Sequence, residues 1–168
     1  MQLTQETADT LIKIEKVLLN PINVYIPQEP RQTEKYPLGY KGLNNTFNIN
    51  DLNVEMFRGS RNPKKVSYKL LYKGIFNLIR LDMYGTRHMN PDGKIFEPDT
   101  PHLHIYDEIY KDKWAYSVPP EFSNTEDIVQ TFKDFLSYSN VINVDEIKIV
   151  HQGGVFDDQQ FWFCKWVL

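Results

Sequence analysis

Short runs of alternating apolar and polar residues, separated by turn residues, recur between residues 52 and 118. In "VSYKLLYKG", for example, Val66, Tyr68 and Leu70 fall on one side of an extended chain. Alternation of this kind is typical of a strand with one buried face, and strands joined by short turns pair in antiparallel fashion. This feature restricts the chain to folds built around an antiparallel sheet.

Seven segments carry this pattern or a more apolar form of it, and each predicts a strand. The composition supports the assignment, because the chain contains 10 Phe, 10 Tyr and 3 Trp residues and aromatic residues are enriched in strands. In the third segment, Arg80 and Asp82 share the face opposite the apolar residues. The segments cover residues 52–59, 66–74, 75–84, 101–109, 112–118, 144–152 and 159–167.

Two segments predict helices. Residues from about 4 to 19 have apolar side chains at helical spacing, and Pro21 ends the helix because the residue before a proline avoids helical geometry. Near residues 124–138, Ser123 and Glu126 have the spacing of a capping box, in which each side chain satisfies a backbone donor at the start of a helix. The residues that follow form an apolar face, so this helix is expected to pack on the sheet.

These elements predict a single α+β domain over residues 1–168, with a mainly antiparallel sheet of about six or seven strands. The N-terminal helix lies within residues 1–20. Residues 27–50 contain several Pro, Gly and Asn residues and are expected to form an irregular segment. A chain of this length can bury one sizeable core.

Composition narrows the classes of function. The net charge of −3 and the lack of a basic tail argue against non-specific binding to duplex DNA. Cys164 is the single cysteine, so no intramolecular disulfide forms, and we expect it to be a small buried residue. No apolar run is long enough to span a bilayer, and the N-terminus lacks a secretory signal. A cytoplasmic protein without a membrane partner is therefore expected.

The stretch "NPDG" at residues 90–93 has the residues preferred in a type I turn. It lies inside a long connection, about residues 85–100, between two predicted strands, and His88 precedes it. If this connection folds back, His88 and Asp92 come to lie over the strand that follows.

Two further histidines lie on that strand. In "HLHIY", the apolar residues Leu103 and Ile105 alternate with polar ones. The apolar pair is expected to face the core, because successive side chains of a strand point to opposite faces. The other face, directed toward solvent, a cleft or a partner, then carries His102, His104 and Tyr106.

Three interpretations of the histidines remain open. In the first, they perform acid–base chemistry on a phosphate without a cofactor, with His104 as the base and His102 as the acid. His88 and Arg87 would bind the phosphate, and Tyr106 would orient a reacting group.

Lys113 and Trp114 extend this predicted site. They lie on the strand expected next to the histidine strand, where the lysine would contact substrate and the tryptophan would stack on a base. A tryptophan on a strand is also typical of a core. A second basic region, "FRGSRNPKK", is expected to be either a phosphate-binding turn or a solvated hairpin tip. Its cationic residues are Arg58, Arg61, Lys64 and Lys65.

In the second interpretation the histidines bind a metal ion, and zinc is the candidate cofactor. Three imidazoles and a water form a known zinc arrangement. The ligands would be His88, His102 and His104, with Asp92, Asp99 or Glu108 as the fourth. In the third interpretation, the histidines are hydrogen-bonded residues of a half-buried strand and have no chemical role.

The stretches "LDMYGTRHMNPDGK", "PHLHIYDE" and "KWAY" resemble a pattern of small, uncharacterised bacterial and prophage-borne proteins. The resemblance covers residues 81–116 and carries no assigned activity, so it transfers no catalytic residue. It implies a context of mobile elements, phage defence or toxin–antitoxin loci.

Together these features favour a small hydrolase of toxin type that acts on RNA or nucleotides, with an antitoxin as its protein partner. The alternative is a non-enzymatic protein-binding module, such as a phage-encoded inhibitor of a host defence protein, whose exposed aromatic residues would carry the contacts. A metal-dependent enzyme with a histidine cluster is the third hypothesis.

Overall fold

An antiparallel sheet forms the centre of the computed structural model, which describes residues 2–42, 47–60, 62 and 64–150. In chain order the strands are β1 (Lys16–Leu18), β2 (Val24–Tyr25), β3 (Thr33–Lys41), β4 (Phe47–Arg58), β5 (Val66–Tyr72), β6 (Phe76–Met83), β7 (His88–Met89), β8 (Ile95–Phe96), β9 (His102–Ile105), β10 (Ala115–Ser117) and β11 (Ile149–Val150). Seven of them form the main sheet in the order β1–β3–β4–β5–β6–β9–β10, and every neighbouring pair is antiparallel. The predicted sheet is confirmed.

Two helices and two small strand pairs complete the described part of the chain. The helices are α1 (Gln5–Lys13) and α2 (Ile128–Tyr138), and a short 3₁₀ helix covers Val144–Glu146. Strands β7 and β8 form an antiparallel hairpin, and β2 pairs in parallel with β11. Within these residues, neither helix has the length and apolar character that crossing a membrane requires. The arrangement is the α+β fold that the sequence predicts.

The apolar core lies between α2 and one face of the main sheet. The ring of Tyr68 on β5 packs against Phe132 and Phe135 of α2, with ring centroids 6.1 Å and 5.8 Å away. The Tyr68 hydroxyl donates a hydrogen bond to the carbonyl of Ile128, so the polar end of the buried ring is satisfied. Other core residues are Ala8, Leu11, Leu38, Leu52, Val54, Met56, Leu70, Ile79, Leu81 and Leu103.

Residues 27–50 are not the irregular segment that the sequence suggested, because they contain β3 and the start of β4. Pro37 and Gly39 interrupt the alternation of apolar and polar residues in β3, so the sequence pattern did not predict this strand. The sheet accommodates both residues, since Pro37 is exposed and the register with β4 shifts between Leu38 and Tyr40. Irregular positions of this kind are where strands tolerate proline and glycine.

The N-terminal helix is shorter than predicted, since α1 ends before β1 begins at residue 16. The side chain of Lys16 is buried at the point where the chain passes from α1 into β1. The Lys16 ammonium donates hydrogen bonds to the carbonyls of Ile12 and Ile14, and a third bond goes to the carbonyl of Ser139, just after α2. These bonds satisfy carbonyls that the helix ends leave without an intrahelical partner, so the chain can leave the helix and enter the sheet.

The second helix begins later than predicted. Its N-cap is Asp127, whose carboxylate accepts hydrogen bonds from the backbone N–H groups of Val129 and Gln130. The predicted capping box does not form, because Ser123 donates to the carboxylate of Asp134 instead. Aspartate is as good an N-cap as serine, so the sequence holds two competing caps and the fold uses the second.

Of the last two predicted strands, only part of one is seen. Residues 149–150 form β11, whereas residues 144–146 form the 3₁₀ helix. The strand predicted at 159–167 and Cys164 lie outside the described residues. The strand predictions therefore hold best between residues 52 and 118, where the alternation is clearest.

Candidate functional site

Two rows of polar side chains cross the main sheet on the face opposite the core. Strand register sets both rows, because β6 pairs with β5 on one side and with β9 on the other. The rows are Ser67–Asp82–His102 and Lys69–Arg80–His104. Neighbouring rows point to opposite faces, and the row between these two lies in the core as Tyr68–Leu81–Leu103. Strand register alone therefore places acidic, basic and imidazole groups next to one another on this face of the sheet.

Asp82 is at the centre of this polar face. Its carboxylate accepts a hydrogen bond from the Ser67 hydroxyl at 2.6 Å and another from Arg80 Nε at 3.0 Å. Nε2 of His104 and Nε2 of His102 lie 3.5 Å and 3.9 Å from its Oδ2 atom. Burial alone would raise the pKa of this carboxyl group, but the contact with His104, the charge of Arg80 and the hydrogen bond from Ser67 outweigh it and hold the pKa well below its usual range. The group is an anion at neutral pH.

The Arg80 guanidinium lies between two carboxylates. Besides Asp82, it contacts Asp112 through Nη1, and Asp112 also accepts a hydrogen bond from Asn77 at 2.9 Å. Nη2 of Arg80 is 3.0 Å from Nε2 of His104. A guanidinium only donates, so this contact is a hydrogen bond when Nε2 is unprotonated; a protonated Nε2 donates to Asp82 instead. Asp82 on β6 and Asp112 in the turn before β10 therefore compensate the charge of Arg80, and the guanidinium contacts one side of the His104 ring.

The β7–β8 hairpin covers the histidines. Its turn is the predicted one, since the N–H of Gly93 donates to the carbonyl of Asn90 at 2.9 Å and Gly93 has a φ of +87°. The hairpin stacks the His88 ring on that of His102 at 5.4 Å and sets it edge-on to that of His104 at 4.8 Å. The connection folds back and brings His88 over the histidine strand, as predicted, whereas Asp92 stays in the turn, where it accepts from the N–H of Lys94.

The Asn90 side chain attaches this hairpin to the edge of the main sheet. Its Nδ2 group donates to the Ala115 carbonyl at 2.9 Å, and its Oδ1 atom accepts from the Ala115 N–H at 2.8 Å. The same Oδ1 atom is 3.1 Å from Nε2 of His88. Asn90 is buried, so these bonds satisfy groups that solvent does not reach.

Asn90→Ala is expected to lower the free energy of unfolding by about 2 kcal/mol, because the backbone groups of Ala115 lose their partners. Urea denaturation measures the change. Asp92→Ala is the control in the same turn, where the exposed carboxylate accepts a bond from the N–H of Lys94, and we expect a loss below about 1 kcal/mol. Equal losses would show that the turn, and not the Asn90 side chain, anchors the hairpin.

Backbone carbonyls orient two of the imidazoles. Nδ1 of His102 is 2.8 Å from the carbonyl oxygen of Thr100, and Nε2 of His88 is 2.9 Å from that of Lys113, so each nitrogen carries a proton and donates. Burial lowers the pKa of His102, and the neighbouring imidazole of His104 acts in the same direction. In the neutral rings, Nε2 of His102 and Nδ1 of His88 therefore keep a free lone pair.

An open pocket of about 370 Å³ lies beside the histidines. His88, His102 and Asp82 line it, together with four cationic side chains: Lys65, Lys69, Arg80 and Arg87. In the part of the chain that the structure describes, no carboxylate forms an ion pair with Lys65, Lys69 or Arg87. The pocket is thus locally positive on a chain whose net charge is −3.

Tyr106 does not share the face of the histidines, so this prediction is wrong. Strand β9 ends at Ile105, and the Tyr106 ring lies in the core, edge-on to Phe76. Its hydroxyl donates to the carbonyl of Leu3 at 2.8 Å. Alternation holds only while the chain stays extended, and here the strand stops one residue too early.

The histidine face is also more enclosed than its pattern suggests. His104 is 0% exposed and His102 is 2% exposed. The sequence allowed three surroundings for this face: solvent, a cleft or a partner. The structure shows a cleft for His102, which lines the pocket, whereas His104 is not among the lining residues. A substrate can therefore touch His102 and His88 but not His104.

The predicted substrate-binding residues are separated in the fold. Arg87 lines the pocket, whereas Lys113 and Trp114 are not among its lining residues. Lys113 contributes only its carbonyl, which accepts from His88. Trp114 is half-buried and packs edge-on to Tyr110, with ring centroids 5.7 Å apart.

The acidic residues proposed as metal ligands lie away from the histidines. Among the described residues, the group whose ligand atoms come together is His88, His102 and His104. Asp92 bonds to its own turn, and the carboxylate of Glu108 accepts from the backbone N–H of Gln5. Asp99 is exposed beside Asn62. The carboxylate next to the imidazoles is Asp82.

The basic region at residues 58–65 is divided. Lys65 lines the pocket, Lys64 forms an ion pair with Glu126, and Arg58 donates to the carbonyl of Pro27. Arg61 lies outside the described residues. Among the members that the structure describes, Lys65 is the one available to a ligand in the pocket.

Sequence reasoning missed the partners of the histidines. It placed Arg80 and Asp82 on the polar face of their strand but assigned them no role. It gave Asn90 a role only in the turn and did not consider Asp112. A usable signal was present, because β6 and β9 each carry polar residues two positions apart. Pairing these two strands in register would have set Asp82 beside His102.

Comparisons with known proteins bear on the whole of this region. No curated protein and no solved structure matches the chain. The model of the Family of unknown function (DUF6978) matches residues 3–141, which include the main sheet, α2, the pocket and the histidine cluster. This agrees with the expectation of an uncharacterised family. The chain belongs to the Family of unknown function (DUF6978).

Proposed function

We propose that this protein hydrolyses phosphate esters of RNA or nucleotides, and that the substrate binds in the pocket beside His88 and His102. One observation carries the proposal. Cationic side chains that hold no carboxylate within the described residues share this pocket with imidazoles that keep a free lone pair.

The cationic side chains suit a phosphate. Lys65, Lys69 and Arg87 surround the opening, and an arginine can bind phosphate oxygens with two parallel hydrogen bonds. Arg80 differs from these three because Asp82 and Asp112 already hold its guanidinium. It forms a fixed part of the wall, and the other cations are the groups that bind substrate. Their charge also attracts an anion to a protein that is acidic as a whole.

The imidazoles suit hydrolysis. A water oxygen forms a bond to phosphorus, the bond from phosphorus to the leaving oxygen breaks, and the leaving oxygen takes up the proton that the water lost. A neutral imidazole activates the water either by taking its proton or by holding an ion that lowers the pKa of the water. His102 and His88 reach the pocket and can do this, whereas the buried His104 is a positioning residue.

Arg87→Gln is expected to raise KM about tenfold and to leave kcat within about twofold, because a guanidinium can bind phosphate but cannot take a proton from the water. The assay uses the purified full-length protein with a labelled RNA oligonucleotide and with bis(p-nitrophenyl) phosphate. Lys13→Gln removes an exposed cation at the end of α1 and is the matched control, which should leave both constants unchanged.

A cellular experiment addresses the toxin-type activity. Induced wild-type protein should arrest bacterial growth and degrade RNA, and His102→Gln should do neither. A wild-type protein that cleaves neither RNA, nucleotides nor the model ester would contradict the proposal. It would leave the protein-binding module as the better account of the sequence.

A further inference from the structure

We propose that His88, His102 and His104 bind one divalent transition-metal ion, with zinc as the expected occupant. The inference deepens the proposed function and rests on it for the substrate that the ion would activate. The binding itself rests on the geometry of the three rings, so the two can fail separately.

The three rings are close enough to share an ion. One ring nitrogen from each histidine lies within 4.8 Å of one from each of the others. The ring centroids are 4.8 to 5.4 Å apart, and two of the three contacts are edge-on. Strand β9 contributes two imidazoles at alternate positions, and the β7–β8 hairpin contributes the third from above. Three imidazoles with one open position are a common arrangement in catalytic zinc sites.

The outer contacts of two rings are those of metal ligands. A histidine that binds a metal through one nitrogen usually donates the N–H of the other to a carbonyl or a carboxylate. Nδ1 of His102 donates to the Thr100 carbonyl, and Nε2 of His88 donates to the Lys113 carbonyl. These bonds fix the ring orientations and leave one lone pair on each ring for an ion.

The third ring carries an unsatisfied atom. His104 is fully buried, and its Nδ1 atom has no hydrogen-bond partner among the described residues. Native structures rarely leave a buried polar atom without a partner, and an unseen ion is one of the established reasons. An ion on Nδ1 would satisfy it. The ring proton would then lie on Nε2 and point to the Asp82 carboxylate 3.5 Å away, so in this tautomer Nε2 no longer accepts from Arg80.

The charges around the cluster permit a cation. An Asp82 carboxylate oxygen lies within 4 Å of Nε2 in two of the imidazoles. The nearest cationic group, Arg80, also contacts Asp112, so a second carboxylate offsets its charge. Carboxylates that contact metal-binding imidazoles strengthen the ligands, and Asp82 is placed for this role.

The site opens in the direction that the proposed function requires. His88 and His102 line the pocket that also holds Lys65, Lys69 and Arg87, so an ion between the rings lies next to the phosphate-binding groups. A zinc ion in such a position lowers the pKa of a bound water to about 7. The cations hold the phosphate and the histidine cluster holds the ion that activates the water.

Isothermal titration calorimetry with zinc tests the inference on the full-length protein after treatment with a chelator. We expect one zinc ion per chain, and a weakening of at least about 100-fold in both His88→Gln and His102→Gln. His88 lies in the half-buried hairpin, so His88→Gln should keep the fold even if variants of the buried His104 do not. Asp92→Asn, at the tip of the same hairpin, is the control and should bind zinc as the wild type does.

Thermal denaturation provides a second measurement. Saturating zinc should raise the Tm of the wild type and of Asp92→Asn but not that of His88→Gln. Wild-type protein that binds neither zinc, cobalt, nickel nor manganese would overturn the inference, as would histidine variants that bind as tightly as the wild type.

Activity assays separate the two proposals. Stoichiometric zinc binding without hydrolysis of any phosphate ester supports the metal centre and contradicts the hydrolase. Hydrolysis that persists in a metal-free sample supports the hydrolase and overturns the role of the ion in activating the water.

Discussion

Replacing Asp82 with alanine is expected to lower the free energy of unfolding by about 3 kcal/mol at neutral pH. This carboxylate is only 20% exposed and holds both Arg80 Nε and the Ser67 hydroxyl. Without it, a mostly buried guanidinium keeps Asp112 as its carboxylate partner and a buried hydroxyl loses its acceptor. Urea denaturation of the two proteins at the same pH measures the loss.

A second ion pair on the same sheet provides the control for Asp82. Glu55 is 14% exposed, but its partner Lys35 is 66% exposed, so solvent reaches the lysine side of the pair and Glu55→Ala should cost no more than about 1 kcal/mol. The double variant with Arg80→Met should lose less than the sum of the single losses, since both single changes remove the same contact between Arg80 and Asp82. Equal losses in Asp82→Ala and Glu55→Ala would mean that the network around Asp82 adds no more than a single ion pair with an exposed lysine.

Phe132→Ala is expected to lower the free energy of unfolding by about 4 kcal/mol, because it opens a cavity where α2 meets the sheet. The ring is fully buried and packs on Tyr36 and Tyr68, with centroids 5.3 Å and 6.1 Å away. Phe132→Leu fills most of this space and should cost about 1.5 kcal/mol. Denaturant unfolding again measures both.

The control for Phe132 is an apolar residue outside the core. Ile75 is 68% exposed, so Ile75→Ala should change the free energy of unfolding by less than about 0.5 kcal/mol. If Phe132→Ala behaved like Ile75→Ala, the packing of α2 on the sheet would contribute little to stability.

Local pattern was enough to predict the middle of the sheet. In β5, Val66, Tyr68 and Leu70 alternate without interruption, and all three lie in the core. The alternation reports which face is buried because that burial is what selects the residues. The fold class followed from these strands and from the short turns between them.

Elements that depend on distant partners were harder to predict. Strand β3 contains Pro37 and Gly39, and β1 contains a lysine on its buried side, so neither has a clean strand pattern. Their strand geometry comes from pairing with each other and, for β3, with β4. Lys16 is tolerated inside because three carbonyls surround its ammonium, which no local pattern reveals.

The sequence predicted where the candidate site lies but not which side chains contact the histidines. The turn residues predicted that His88 would return to the histidine strand, and this is what the hairpin does. The register that sets Asp82 beside His102 is a relation between two strands, and neither strand encodes it alone. Tyr106 shows a second limit of the prediction, because alternation of apolar and polar residues does not reveal the residue at which a strand ends.

The Asn90 amide also affects how the protein behaves in a crowded solution. An edge strand exposes N–H and C=O groups to which a strand of another chain can add, and β10 is such an edge. Asn90 occupies both groups of Ala115 with its side chain, as a neighbouring strand would do. The hairpin that encloses the histidines therefore also blocks the addition of a strand at Ala115. A change that loosens it would threaten solubility as well as the site.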